Sequence, residues 1–137
     1  MSWLIDTNVV SELGKRYPDS AVLDWASKSD PLVSYLSAMT VFELERGVQR
    51  VERVDPAQGA RMRLWLDALV HTEYVGRVLP MDAEVAALAA SLHVPDPRPE
   101  PDAWIAATAL RHNLTVVTRN VRDFVPLGVR VLNPWEG

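Results

Sequence analysis

The chain has 137 residues, 48% of them hydrophobic, with no cysteine and a formal net charge of −4. That size suits one domain with a real core and leaves little room for two. Lack of cysteine excludes disulfides, thiolate catalysis and Cys-based zinc sites, so any metal must be held by oxygen or imidazole, and the acidic balance excludes a general nucleic-acid coat.

The first β-rich run, residues 3–5, ends in "LIDTN" and sets Asp6 where strand meets loop. No apolar run of about 18 residues and no signal-type start accompany it, which points to a cytoplasmic protein. A helical pattern over 21–28 precedes a second strand over 32–36. A helix over 38–50 follows directly and carries Glu43 in its second turn. Residues 58–71 and 83–92 read as further helices, with a short strand at 77–79 between them. Alternate prolines in "PDPRPEP", 95–101, forbid helix and give a stiff loop. The helix over 102–112 begins at Asp102, and its "AWIAATAL" is apolar on nearly every side, as a helix buried against a sheet should be. Strands at 114–118 and 129–132 close the chain, with Asp123 in the loop between them. Strands alternating with helices predict an α/β fold with a central, mainly parallel five-stranded sheet flanked by helices.

In such a sheet ligands sit outside the carboxyl ends of the strands. Asp6, Glu43, Asp102 and Asp123 all fall on that edge, and carboxylates gathered there hold a hard divalent cation suited to phosphate chemistry. Each acid also has a structural explanation. Asp6, Thr7 and Asn8 could form a capping turn, Asp102 an N-cap, and Thr40 with Glu43 a capping box. Independent caps, however, have no reason to choose one edge. Gly47, a helical turn after Glu43, either leaves that face open for a ligand or serves packing. Twelve of the 14 basic residues are Arg, with Arg46, Arg50, Arg53, Arg61 and Arg63 close in sequence, as phosphate contacts or as a solvated helix face. No phosphate loop, nucleophile elbow or H-E-x-x-H pair is present. His71, His93 and His112 stand alone near helix ends, and the five tryptophans are spread as core residues would be.

Taken in order, "LIDTNVVSEL", "LSAMTVFELERGV", "PDAWIAATALRHNLTVVTRN" and "GVRVLNPW" resemble the PIN-domain ribonucleases along the whole chain. The resemblance is greatest to the VapC-type toxins of bacterial toxin–antitoxin pairs and their FitB branch. It implies a three-layer PIN-like domain over 1–137 and a Mg²⁺- or Mn²⁺-dependent endoribonuclease. Asp6, Glu43, Asp102 and a fourth acid would form the catalytic cluster, with Asp6 and Asp102 as metal ligands that Glu43 and Asp123 can join. Thr118 and Asn120 would position water, metal or phosphate. FitB-like chains often carry Asp where this chain has Asn120, whereas many VapC-like chains read T-R-N-x-x-D-F as here, so the fourth acid falls to Asp123. The resemblance further implies products with 5′-phosphate and 3′-hydroxyl ends, a homodimer, and a small cognate antitoxin whose tail occupies the acidic cleft. Two other readings stay open: a Mg²⁺-dependent phosphatase, although Asn8 stands where its second acid would be, and a non-catalytic cation-binding regulatory module.

Overall fold

Five short apolar runs become the strands β1 (Trp3–Ile5), β2 (Ser34–Ser37), β3 (Val78–Leu79), β4 (Thr115–Val117) and β5 (Val131–Leu132). In the computed structural model, which describes residues 1–136, they pair in the order β3-β2-β1-β4-β5. All four pairings are parallel, so the sheet is wholly rather than mainly parallel. The first strand is central, with Trp3 opposite Ser34 on one side and Thr115 on the other.

Side chains alternate across this sheet and feed two cores. Ile5, Leu36 and Val117 point to one face and pack with Val9, Val10, Leu44, Val48 and Leu66. These come from the helices α1 (Thr7–Leu13), α3 (Ala38–Val54) and α4 (Pro56–Ala68). Val22 of α2 (Ser20–Lys28) joins the same core. Leu4 and Val116 point the other way, toward Ile105, Ala106 and Ala109 of α6 (Glu100–His112) and Phe124 of α7 (Val121–Phe124). α5 (Ala83–Leu92) packs through Val85 and Ala89 against Ala107 on the outer side of α6. Helices on both faces explain why the strands read as continuous apolar runs instead of alternating ones.

Several boundaries differ from the sequence expectation, each for a local reason. α1 has no counterpart in that expectation: it has only seven residues, begins at the D-T-N segment, and uses Asp6 as its N-cap. The run at 32–36 is half turn, because Asp30 caps a 3₁₀ segment over Pro31–Val33 before β2 begins. α4 starts at Pro56, where proline suits a first turn and Asp55 accepts from the Gln58 N–H. It ends at Ala68 and continues as a π turn over Leu69–Glu73. α6 likewise takes Pro101 into its first turn and starts at Glu100, so Asp102 is inside the helix and does not cap it. Asp123 lies on the single turn of α7 and not in a loop. Gly59 lets α4 fold back on α3, since a Cβ there would stand 2.5 Å from the Glu52 Cα.

Candidate active site

The D-T-N segment just past β1 reaches in three directions. Asp6 is 5% exposed, and its carboxylate accepts from the Thr7 N–H at 2.7 Å and the Thr118 hydroxyl at 2.7 Å. Thr7 crosses to α3, where its hydroxyl donates to Glu43 Oε1 at 2.7 Å and stands 3.1 Å from the Thr40 hydroxyl. Asn8 turns toward the end of β4: its amide nitrogen is 3.2 Å from Thr118 Oγ1 and 3.3 Å from Asp6 Oδ2, while its oxygen accepts from the Arg119 N–H. Three consecutive residues thus tie the ends of β1 and β4 to the start of α3.

The cap of α3 is Ser37, whose hydroxyl accepts from the Thr40 N–H at 3.1 Å. The Thr40–Glu43 pairing is therefore not a capping box, which frees Glu43 for its bond to Thr7. Thr118, fully buried, also accepts from the Asn120 N–H at 3.0 Å. Asn120 itself is exposed and its side chain makes no capping bond.

The acids act electrostatically on Asp102 and Asp6. Burial, followed by the charges of Asp6, Asp123 and Glu43, pushes the half-buried Asp102 up to about 6 from an ordinary 3.8. Burial also raises Asp6, against the lowering effect of its bonds from Thr118 and Thr7. Among the described residues, no three His, Asp or Glu side chains close on one point as a ready-made metal cage. Thr7 and Thr118 hold two of the acids, Glu43 and Asp6, in place. The donor set is all oxygen, which fits a hard cation such as Mg²⁺ or Mn²⁺ and not a soft one.

Beside this cluster lies a groove of about 950 Å³ between the end of α1, α3 and α4. It shares Thr7 and Glu43 with the acids and continues past Gly47 to Arg16, Arg61 and Trp65. Arg63 does not face it: its guanidinium is held by Glu45 at 2.7 Å and Glu52 at 3.0 Å, bridging α3 and α4. That one arginine of the central group is thus structural, not phosphate-binding.

The family profile described as PIN domain matches residues 3–125. This chain belongs to the PIN-domain family. The PIN domain here is 38% identical to VapC ribonuclease Y4jK of Sinorhizobium fredii, over 97% of both chains. Toxin FitB of Neisseria gonorrhoeae is 36% identical across 97% of this chain and 98% of its own. A solved structure of FitAB bound to an IR36 DNA fragment superposes with a TM-score of 0.88 at 33% identity, covering 97% of this chain and 95% of that one.

The structure of this PIN domain brings Asp6, Glu43 and Thr118 into one hydrogen-bonded network and sets Asp102 and Asp123 within electrostatic reach of it. Sequence reasoning misses the joining roles of Thr7, Asn8 and Ser37, reading the first two only as a turn. Polar residues at strand ends, in "IDTN" and "LSAMT", are the signal that marks them. The tryptophans are half-buried at the core margins, where Trp3 and Trp25 meet edge to face at 5.6 Å.

Proposed function

We propose that this chain is a divalent-cation-dependent endoribonuclease, the toxin of a toxin–antitoxin pair, with Asp6, Glu43, Asp102 and Asp123 as its catalytic acids. The observation that carries this reading is the gathering of four acids at the carboxyl edge of a parallel sheet, three of which, after burial, raise the fourth, Asp102. Full-length similarity to a VapC ribonuclease supports it. Asp6 and Asp102 would hold Mg²⁺ or Mn²⁺, with Glu43 and Asp123 completing the oxygen set. A cation held there would supply the charge that polarises the scissile phosphate and acidifies an attacking water.

The remaining work falls to the chain's own groups. Thr118 and the Thr7 N–H keep Asp6 oriented and offset in part the burial that raises it. Thr7 holds the Glu43 carboxylate toward the same edge. Asn120, exposed beside Thr118, can offer its amide to phosphate or water. With water rather than the RNA 2′-hydroxyl as nucleophile and the 3′-oxygen as leaving group, cleavage leaves 5′-phosphate and 3′-hydroxyl ends and needs no histidine. A small antitoxin as inhibitor, a homodimer and a cytoplasmic location belong to this reading. Among the described residues no helix is long and apolar enough to cross a membrane.

The test is cleavage of labelled single-stranded RNA with Mn²⁺ and with EDTA. Asp6→Asn and Asp102→Asn should each lower the Mn²⁺-dependent rate by about 100-fold or more, a barrier increase near 3 kcal/mol, while still melting cooperatively. Full activity in both variants would remove the assignment. Asp123→Asn should weaken Mn²⁺ binding by calorimetry; if it binds and cleaves as the parent does while Asn120→Ala is inactive, the fourth position is the amide. Hydrolysis of p-nitrophenyl phosphate without any RNA cleavage would restore the phosphatase reading.

A further inference from the structure

Gly47 is in the middle of the 17-residue α3, where glycine weakens a helix relative to alanine and so needs a reason. The other described glycines have theirs inside the chain. A Cβ on Gly14 would come 2.8 Å from the Trp65 ring, and one on Gly59 would strike the Glu52 backbone. Gly76 and Gly128 have positive φ values of 74° and 80°. Gly47 has neither excuse: its backbone is helical, and nothing lies within 4 Å of the position its Cβ would take. The space above it is the groove that begins at Thr7 and Glu43.

The groove's charge is sorted as well. Arg16 and Arg61 line it, and among the described residues neither has an acidic partner, although Arg16 lies over the Tyr17 ring. Lys15, also on the wall, is held by Glu12 at 2.8 Å. In a chain of net charge −4, two guanidinium groups without acidic partners stand on the walls of a groove otherwise lined largely by Leu44, Val48, Met62 and Trp65, and they complement a polyanion. Trp65 adds an indole to the same wall, a surface on which a base can stack.

We propose that the single-stranded RNA substrate runs along this groove to the acids, its backbone passing over Gly47 more closely than any side chain would allow, with Arg16 and Arg61 holding phosphates beside the scissile one. The proposal rests on the ribonuclease reading of the acid cluster. Gly47 is then a determinant of substrate access rather than a packing residue.

The experiment measures binding of a labelled, mixed-sequence single-stranded RNA in EDTA, and its cleavage in Mn²⁺, for the parent, Gly47→Ala, Gly47→Leu and Arg16→Ala/Arg61→Ala. Melting temperatures of both Gly47 variants should equal or exceed the parent's, showing that α3 is intact. Gly47→Leu should raise KM about tenfold, more than it lowers kcat, with Gly47→Ala in between. The double arginine variant should flatten the dependence of log Kd on log salt by about 1.4, because each single-strand phosphate left without its guanidinium lowers the slope by about 0.7. Variants matching the parent in RNA affinity, salt slope and KM would overturn the proposal while the nuclease reading stands. Variants that match it on RNA but no longer bind the cognate antitoxin would overturn it in favour of a peptide groove. A parent that neither binds nor cleaves RNA would remove both.

Discussion

The Thr118 hydroxyl sits at the end of β4 with no exposed surface, accepting from the Asn120 N–H and meeting the Asn8 amide while it donates its proton to Asp6. Thr118→Val keeps the shape and strands these partners, so it should cost about 1–3 kcal/mol of stability in urea unfolding; Thr118→Ser should recover most of it. The same substitution takes from Asp6 the first of the bonds that favour its charged form. Asp102 gives a separate prediction. Its folded value, about 6, is above its ordinary 3.8, so between these values the folded chain binds the extra proton and stability falls as pH rises. Asp6 acts in the same direction. Glu12, Glu45 and Glu52 are held below their ordinary 4.5 by Lys15 or Arg63 and act oppositely, but only at lower pH. Without divalent cation, stability should therefore decline from about pH 4.5 to 6 and level off above. Urea midpoints across that window should show the decline in the parent and a reduced one in Asp102→Asn; a flat parent profile would mean that burial and the neighbouring acids do not raise Asp102 in solution.

At the scale of elements, two glycines on neighbouring helices should respond oppositely to the same change. Gly59→Ala pushes a methyl into the Glu52 backbone and should cost about 1–3 kcal/mol, as overpacking does. Gly47→Ala enters open space and should gain up to about 1 kcal/mol from helix propensity. Chemical denaturation of both variants checks the pair. These helices also show what the sequence makes legible. α3 and α5 are readable from periodicity, and the sheet from its alternation with helices. α1 is not, because D-T-N, its cap and first two residues, carries the turn signals that these side chains spend on Thr118, Glu43 and Arg119. The start of α6 is hidden by Pro101, which reads as a breaker yet is harmless in a first turn. The four acids are legible as an edge; Ser37 as the true cap is not, since Thr40 and Glu43 imitate a capping box that the backbone does not use.

Across the whole molecule, a cation bound at the acids should act as a staple between distant parts of the chain. Free Mn²⁺ at about 100 times its dissociation constant should add about 2.7 kcal/mol if only the folded state binds it. It should also abolish the pH decline described above. Calorimetric melting of the parent and of Asp6→Asn/Asp102→Asn, with and without Mn²⁺, measures this; equal shifts in both would place the cation elsewhere. The central position of β1 has one more effect, on the timing of biosynthesis. Synthesis delivers β1 first, but its β4 neighbour, the Val117 carbonyl that receives the Asp6 N–H, and the Thr118 hydroxyl come more than a hundred residues later. A nascent chain lacks half the pairing of its central strand, and the Thr118 partner of its first acid, until β4 has been made. A fragment that stops before residue 123 lacks one of the four proposed acids and should not cleave RNA. If the four acids cleave RNA together, the chain stays inactive on the ribosome until β4 and α7 have been made.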